Sequence, residues 1–340
     1  MKPCVVSEDT KVLLLLCSDF ALPTNSSLQP LVAKEWARLA ELMRHVGLKS
    51  PTELLACNIA NLGIPPAQVD RISRLLSRGG QLALEIEPLT NQGLWIVGLT
   101  DAHYPDKYLA RLSSPMQPPF LIGAGDISLL QDGYLAIVGS RDVDKVGSDY
   151  AEELGRSAAT HNRIVVSGMA RGVDQLSMNA CMEAGGRSIG ILAGGLTQAL
   201  RNSSVRNRIY ENQLTLITAL RPDAPFKVWN AMHRNRLIYC LADLGIVVSS
   251  GLEEGGTWAG AIETLKHHWV PLFVRNTSDS PKGNYELILR GAKPIGDLTK
   301  DAFQVLLSHT LEAAQFEPQP QQLSWPTAIH ETADIPAKTQ

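Results

Sequence analysis

The sequence has 340 residues, of which 44% are hydrophobic and 19% are charged, and its formal net charge at pH 7 is −3. This composition is typical of a soluble globular protein and is too apolar for a disordered chain. A net charge so close to zero excludes a protein that attracts nucleic acid through a strong positive field over its whole surface.

The cysteines follow no pattern of metal or redox sites. Five are spread over the chain without a CxxC pair, at Cys4, Cys17, Cys57, Cys181 and Cys240. Buried reduced thiols are therefore expected, rather than a zinc ribbon or a thioredoxin-like site. The apolar run 12–17 is far shorter than the roughly 20 residues of a membrane-spanning helix, and it lacks the basic flank of a signal peptide. These features predict a cytoplasmic protein without a membrane partner.

Residues 1–90 predict a small helical module. Apolar residues recur at helical spacing over 31–46, and Gly47 ends that pattern. Ser50 and Pro51 are typical of a helix start, and a further helix over 67–76 is predicted to end at Gly79 and Gly80. Such a module can contact a DNA backbone, dock a protein or simply pack against the rest of the chain, and packing is the preferred interpretation.

Residues 91–130 have a different character. A short apolar strand over 94–99 is followed by four prolines, which exclude a long helix. We expect an extended segment that leads into a sheet and supplies an edge strand.

The central stretch 134–174 predicts a strand, a turn, a helix, a second strand and a second turn. The apolar runs 134–138 and 164–166 are typical of buried parallel strands, and 150–161 has helical spacing. Each strand ends in a glycine-containing turn that carries an arginine, Arg141 or Arg171. Glycine lets backbone N–H groups approach an anion, so the unit predicts an anion pocket, most readily for phosphate.

Strands and helices continue to alternate after Asp174, with a helix over 175–184 and strands over 188–192, 214–220, 244–248 and 270–274. The predicted fold class is α/β: a Rossmann-like, doubly wound, mostly parallel sheet over 91–308, beside the helical module 1–90 and a flexible Pro- and Gln-rich tail over 309–340. Four glycine turns, at 139–141, 167–174, 193–195 and 255–257, should share one edge of this sheet and form a single crevice.

The motifs in these turns carry a resemblance. Gly139-Ser140-Arg141, the string SGMARGVD over 167–174 and Arg234-Asn235-Arg236 resemble those of the DNA-processing protein A family (DprA, also called Smf), over roughly 94–295. The resemblance implies a divergent member that binds single-stranded DNA, forms a homodimer and loads a RecA-type recombinase in natural transformation. Apolar contacts of that dimer are expected from Leu265, Trp269, Leu287 and Leu289.

Roles carried over by position give the expected site. Arg141 and Arg171 would clamp phosphates, Asp174 would hold its loop, and Trp229 and His233 could stack on a base. Arg234–Arg236 are expected at a helix start. The nucleic-acid- or phosphate-binding residues expected in all are Gly139, Ser140, Arg141, Ser167, Gly168, Arg171, Gly172, Arg234, Asn235, Arg236, Gly255, Gly256 and Thr257.

One alternative remains open. Gly255-Gly256-Thr257 replaces a Ser-Gly-Ser turn of the family, and with Glu263 it is weakly similar to the motif of nucleotide phosphoribohydrolases, although the spacing differs. A nucleotide-binding sensor or a phosphoribohydrolase-like module, in defence against foreign DNA, is therefore the second hypothesis. The sequence has no GxxxxGK[ST] or HExxH motif, and no catalytic residue, metal or cofactor is expected.

Overall fold

The structure is a computed structural model that describes residues 5–23, 25–131 and 133–315 of the chain. The strands within these ranges are β1 Leu94–Gly98, β2 Phe120–Ala124, β3 Tyr134–Gly139, β4 Ile164–Ser167, β5 Ser188–Ile191, β6 Leu214–Thr218, β7 Leu244–Ser249, β8 Leu272–Arg275 and β9 Lys293–Ile295. Eight of these strands are buried or nearly buried along their whole length, and only β9 begins with exposed residues.

The α-helices of the same ranges are α1 Glu8–Cys17, α2 Ala33–His45, α3 Pro66–Leu76, α4 Gly79–Asn91, α5 Asp106–Arg111, α6 Lys145–Thr160, α7 Val173–Glu183, α8 Leu196–Leu200, α9 Ser203–Tyr210, α10 Val228–Leu241, α11 Gly255–His267, α12 Lys282–Leu289 and α13 Lys300–Gln315. Short 3₁₀ helices lie at Pro51–Leu55, Ile59–Leu62, Ser114–Met116 and Ile127–Gln131. None of the helices in the described ranges is both long and apolar enough to cross a membrane.

All nine strands form one sheet in the order β1-β2-β6-β5-β4-β3-β7-β8-β9. The seven strands from β6 to β9 in that order are parallel, whereas β1 and β2 pair antiparallel at one edge. The predicted Rossmann-like, mostly parallel sheet is therefore confirmed, and the segment 91–130 supplies an edge strand as expected. From β3 the chain builds outward through β4, β5 and β6, and then returns to place β7 on the other side of β3. A topological switch point thus lies between β3 and β7, which is where open α/β sheets bind ligands.

The N-terminal helices share their core with the sheet. Val12 and Leu13 of α1 belong to the same apolar cluster as Val97 of β1. The carboxylate of Asp101, just after β1, accepts hydrogen bonds from Ser7 Oγ at 2.6 Å and from Gly98 N at 2.8 Å. The division into a helical module and a sheet domain stays a prediction, because the helices pack directly on the sheet and share an apolar core with it.

Several predicted boundaries in the helical parts are wrong. Gly79 and Gly80 begin α4 rather than end α3, since glycine is tolerated in a first turn whose N–H groups need no helical partner. The last helix, α13, continues past 308 to Gln315. The rest of the predicted tail, 316–340, lies outside the described residues, as does Cys4. Within the described ranges the four remaining cysteines are free thiols; Cys181 and Cys240 are buried as expected, whereas Cys17 and Cys57 are only partly buried.

Candidate functional site

A cleft of about 580 Å³ opens at the switch point. It is bounded by the turn that follows β3, by the start of α7, by one face of α10 and by the turn that precedes α11. Among its lining residues are Gly139, Ser140, Arg141, Asp174, Phe226, Arg234, Asn235, Glu254, Gly255, Gly256 and Thr257. Three of the four predicted glycine turns therefore contribute to one cleft.

The first turn is fixed by backbone bonds and leaves the side chain of Arg141 exposed. Ser140 N donates to Ser249 O of β7 at 2.9 Å, where a register shift at Val138/Gly139 bends the strand. A Cβ at Gly139 would lie 2.5 Å from Val173 Cγ2, so only glycine lets α7 approach this closely. Arg141 is exposed at the mouth of the cleft, makes no ion pair with any described residue, and lies 5.9 Å from the ring centroid of Phe226.

The second turn holds a buried arginine. Arg234 of α10 is only 7% exposed, and its Nε and Nη1 have no hydrogen-bond partner among the described residues. Its guanidinium occupies the space beside Gly168, where a Cβ would lie 1.3 Å from Arg234 Nη1. Gly168 N in turn donates to Asp174 Oδ2 at 3.1 Å. Gly168 therefore leaves room for the guanidinium of Arg234 at the base of the cleft, and its own N–H donates to the carboxylate of Asp174.

Asp174 and Arg234 affect each other's pKa in this buried place. Burial raises the pKa of Asp174 above its ordinary value, and the positive charge of Arg234 opposes that rise. Burial likewise lowers the pKa of Arg234, and the carboxylate of Asp174 opposes that fall. Each group is thus the main electrostatic support of the other's charged form, although no ion-pair contact joins them.

Arg171 and Arg236 do not enter the cleft. Arg171 is exposed at the rim and is ion-paired with Asp142. Arg236 lies in a neighbouring groove, where its Nη2 is 3.4 Å from Glu263 Oε1. The structure therefore brings Arg141 and Arg234 together and keeps Arg171 and Arg236 outside, each beside an acidic partner.

The prediction that Arg234, Asn235 and Arg236 open a helix is wrong. Helix α10 begins earlier, at Val228, because nothing between Phe226 and His233 breaks a helix. Successive residues of a helix point about 100° apart, so the three side chains reach three different places. Arg234 reaches Gly168, whereas Asn235 Nδ2 donates to Gly256 O at 2.9 Å.

The third turn connects α11 to the rest of the cleft. Gly255 adopts φ +81°, a conformation that disfavours other residues, and Thr257 Oγ1 donates to Gly139 O at 3.0 Å. The N-terminus of α11, a helix of 13 residues, thus lies next to the turn after β3. Backbone N–H groups at such an end attract negative charge.

The remaining predicted residues have supporting positions. Ser167 is buried, and its Oγ donates to Ile137 O at 2.6 Å. Gly172 lies against Ser140 and Arg141, with φ +86°. The fourth turn, 193–195, was expected in the same crevice but is outside it, because Gly195 N donates to Ala224 O and the turn packs on the loop before α10.

Sequence reasoning missed the apolar wall of the cleft. Phe226, Val228 and Met232 line it and are exposed, and Tyr239 lies deeper with its hydroxyl unpartnered among the described residues. The signal was the density of large apolar residues in the stretch 222–229, just before and at the start of α10, which periodicity alone could not assign to a surface. Trp229, proposed to stack on a base, is also exposed but belongs to the neighbouring groove, where it meets His233 edge-on at 4.8 Å.

Several proteins of known families are similar to this chain in sequence. The chain is 29% identical to DNA processing protein DprA of Bacillus subtilis over 220 residues, which cover 63% of this chain and 72% of that protein. It is 28% identical to Protein Smf of Escherichia coli over 163 residues, which cover 44% of each chain. The chain therefore spans less than half the length of that second relative.

Two solved structures have the same fold. DNA processing protein A of Streptococcus pneumoniae matches with a TM-score of 0.65 at 20% identity, over 90% of this chain and 99% of the other. DNA processing protein A of Helicobacter pylori, whose structure concerns its single-stranded DNA binding mode, matches with a TM-score of 0.54 at 22% identity, over 64% of this chain and 97% of the other. The sequence model of the family called DNA recombination-mediator protein A matches residues 95–306. Because that match covers more than half of the chain, including every turn of the cleft, the chain belongs to the DNA recombination-mediator protein A family.

Proposed function

We propose that this member of a DNA-processing family binds single-stranded DNA in the cleft at the switch point. The observation that carries the proposal is Arg141, a cation without an ion-pair partner among the described residues, at the end of an open glycine turn. Arginine suits bidentate binding of phosphate, and the N-terminus of α11 adds backbone donors on the opposite wall. The exposed ring of Phe226, next to Arg141, offers a surface on which a base can stack.

The buried arginine supports the same interpretation. Arg234 lines the base of the cleft, and its buried Nε and Nη1 have no hydrogen-bond partner among the described residues, so its positive charge is only partly compensated there. A phosphate that entered the cleft would meet Arg141 first and would be drawn inward by the charge of Arg234. Both cations face the same cavity, so one stretch of DNA backbone can engage them together.

We further propose, on the strength of family membership, a cytoplasmic homodimer that delivers the bound DNA to a RecA-type recombinase in natural transformation and recombination. Two of the apolar residues expected at the dimer contact are unsuitable, since Trp269 and Leu287 are buried in the core. Leu289 is 73% exposed on α12, and Tyr285 is exposed on the same helix. These two side chains are the better candidates for a contact between copies.

A titration of labelled single-stranded DNA by fluorescence anisotropy tests the DNA-binding proposal. Neutralising about three to five phosphates should give a plot of log affinity against log salt with a slope of roughly −2 to −3.5, at about −0.7 per phosphate for single strands. Binding that does not depend on salt, or equal affinity for duplex DNA of the same length, would show that the cleft does not work in this way.

The hydrolase hypothesis draws less support from the site. Glu263, its candidate acid, lies outside the cleft and beside Arg236. The carboxylates that do line the cleft are Asp174, which accepts from Gly168 N, and Glu254, at the N-cap of α11. Neither belongs to a pair placed for acid and base catalysis. We expect nucleoside monophosphates to stay intact on incubation with the protein; release of free base, abolished in Glu263→Gln, would favour the hydrolase.

A further inference from the structure

A second groove runs beside the cleft, between α10 and α11. It has a volume of about 280 Å³, and among the residues that line it are Trp229, Met232, His233, Arg236, Gly260 and Glu263. Met232 lines both cavities, so the groove and the cleft meet along one turn of α10. Gly260 keeps the two helices close, since a Cβ there would lie 3.2 Å from the ring of Tyr239 and 3.3 Å from Asn235 Cβ.

One wall of the groove is aromatic, and the face of its largest ring, that of Trp229, is largely exposed to solvent. Trp229 is 59% exposed and meets His233 edge-on, with interplanar angle 85°. Met232 is exposed next to it. Large flat side chains that stay in solvent beside an anion-binding cleft are suited to stacking on nucleobases, at about 1–3 kcal/mol per base.

The other wall carries an acceptor beside a donor. Glu263 Oε1 and Arg236 Nη2 are 3.4 Å apart, which is too long for a good hydrogen bond, and the two side chains are 26% and 16% exposed. Arg236 Nε is buried and has no hydrogen-bond partner among the described residues. The pair is therefore partly desolvated and still has hydrogen-bonding groups without partners. A ligand whose polar edge enters the groove would gain stabilising hydrogen bonds there.

We propose that this groove, if the cleft binds single-stranded DNA as inferred above, receives one base of that DNA and selects guanine. Guanine presents two adjacent N–H donors, N1–H and N2–H, to the two carboxylate oxygens of Glu263, and its O6 accepts from Arg236. Thymine offers one N–H donor on that edge, and adenine and cytosine offer only their amino group. The base would stack on Trp229 while its phosphate stays with Arg141 in the adjoining cleft.

The comparison of two oligonucleotides tests this subsite. A 12-residue oligothymidylate and the same strand with one central guanine are titrated by fluorescence anisotropy. A bidentate contact predicts at least about fivefold tighter binding of the strand with guanine. Glu263→Gln should remove the difference between the two strands, because an amide has a single acceptor oxygen. Glu87→Gln, an equal change of charge at an exposed position of α4, whose core residues belong to a different apolar cluster from those of α10, should retain it.

The outcomes separate the two proposals. If both strands bind the protein with equal affinity, the base subsite is refuted and DNA binding by the cleft stands. If neither strand binds, the proposed function fails and the subsite fails with it. A guanine preference that survives Glu263→Gln, in a variant whose thermal melting matches the parent protein, also refutes the subsite.

Discussion

Removing the buried cation should destabilise the fold, and Arg234→Ala is the test. The substitution leaves Asp174 buried without the positive charge that offsets its burial. Breaking a buried pair by deleting one partner costs about 3–5 kcal/mol. Since no ion-pair contact joins the two groups, we expect the lower end of that range, about 3 kcal/mol, in the free energy of unfolding.

The same variant should respond to pH in a defined direction. A carboxyl whose folded-state pKa is raised binds a proton more readily in the folded chain than in the unfolded one. Its contribution to stability is therefore complete below the ordinary Asp pKa of about 3.9 and is lost as the pH rises through the folded value. Without Arg234 the pKa of Asp174 rises further, so the window moves upward. The stability difference between the variant and the parent protein should shrink between pH 7 and pH 5.

Urea denaturation followed by circular dichroism at pH 7 and pH 5 measures both effects. Arg171→Ala is the matched control, because Arg171 is an exposed arginine of the neighbouring turn and is paired with exposed Asp142. Removing the Arg171 side chain should change the free energy of unfolding by no more than about 0.5 kcal/mol. A double variant with Asp174→Asn should recover part of the loss, because the two positions are coupled. A loss below about 1 kcal/mol for Arg234→Ala, or a difference independent of pH, would refute this account of the pair.

Three further predictions follow from the site and its supports. Arg141→Ala should weaken binding of single-stranded DNA and make the salt slope shallower by about 0.7 with unchanged thermal melting, because the side chain is exposed; titrations at four salt concentrations measure this. Gly168→Ala should displace Arg234 and lower both stability and DNA affinity, as melting and anisotropy would report, whereas an unaltered melting temperature would contradict the close approach. Leu289→Asp should leave melting unchanged and lower the mass found by light scattering if α12 forms the dimer contact; a parent protein that is monomeric at tens of micromolar removes that contact.

The sheet could be predicted from the sequence because its strands are nearly continuous apolar runs. The pairs β3–β4 and β7–β8 are buried on both faces, and this burial is what the pattern of Val, Ile and Leu reports. Helix α1 was not predicted as a separate helix, because its residues are also a nearly continuous apolar run. It is apolar on nearly every side, since it is covered by both sheet and helices, and it therefore shows no stripe.

The cleft was harder to predict than the sheet. An arginine within a polar string gives no sign of burial, and Arg234 is buried only because Gly168, far away in sequence, leaves room for its guanidinium. The separation of Arg234 from Arg236 depends on the helical phase of α10, which changes with every residue by which its start is misplaced. The ion pair of Arg171 with Asp142 depends on two loops that meet only in the folded chain.

The helical layer over β1 and β2 determines which fragments of the protein can be expressed in soluble form. A Cβ at Gly98 would lie 2.5 Å from Thr10 Oγ1 and 2.7 Å from Leu13 Cδ1, so α1 rests directly on the edge strand. A fragment that began after α4 would keep the antiparallel pair β1–β2 but leave its apolar face in water. A large exposed apolar patch of this kind promotes aggregation. The first 90 residues thus cover an apolar surface of the sheet, and we expect expression of the sheet alone to yield aggregates.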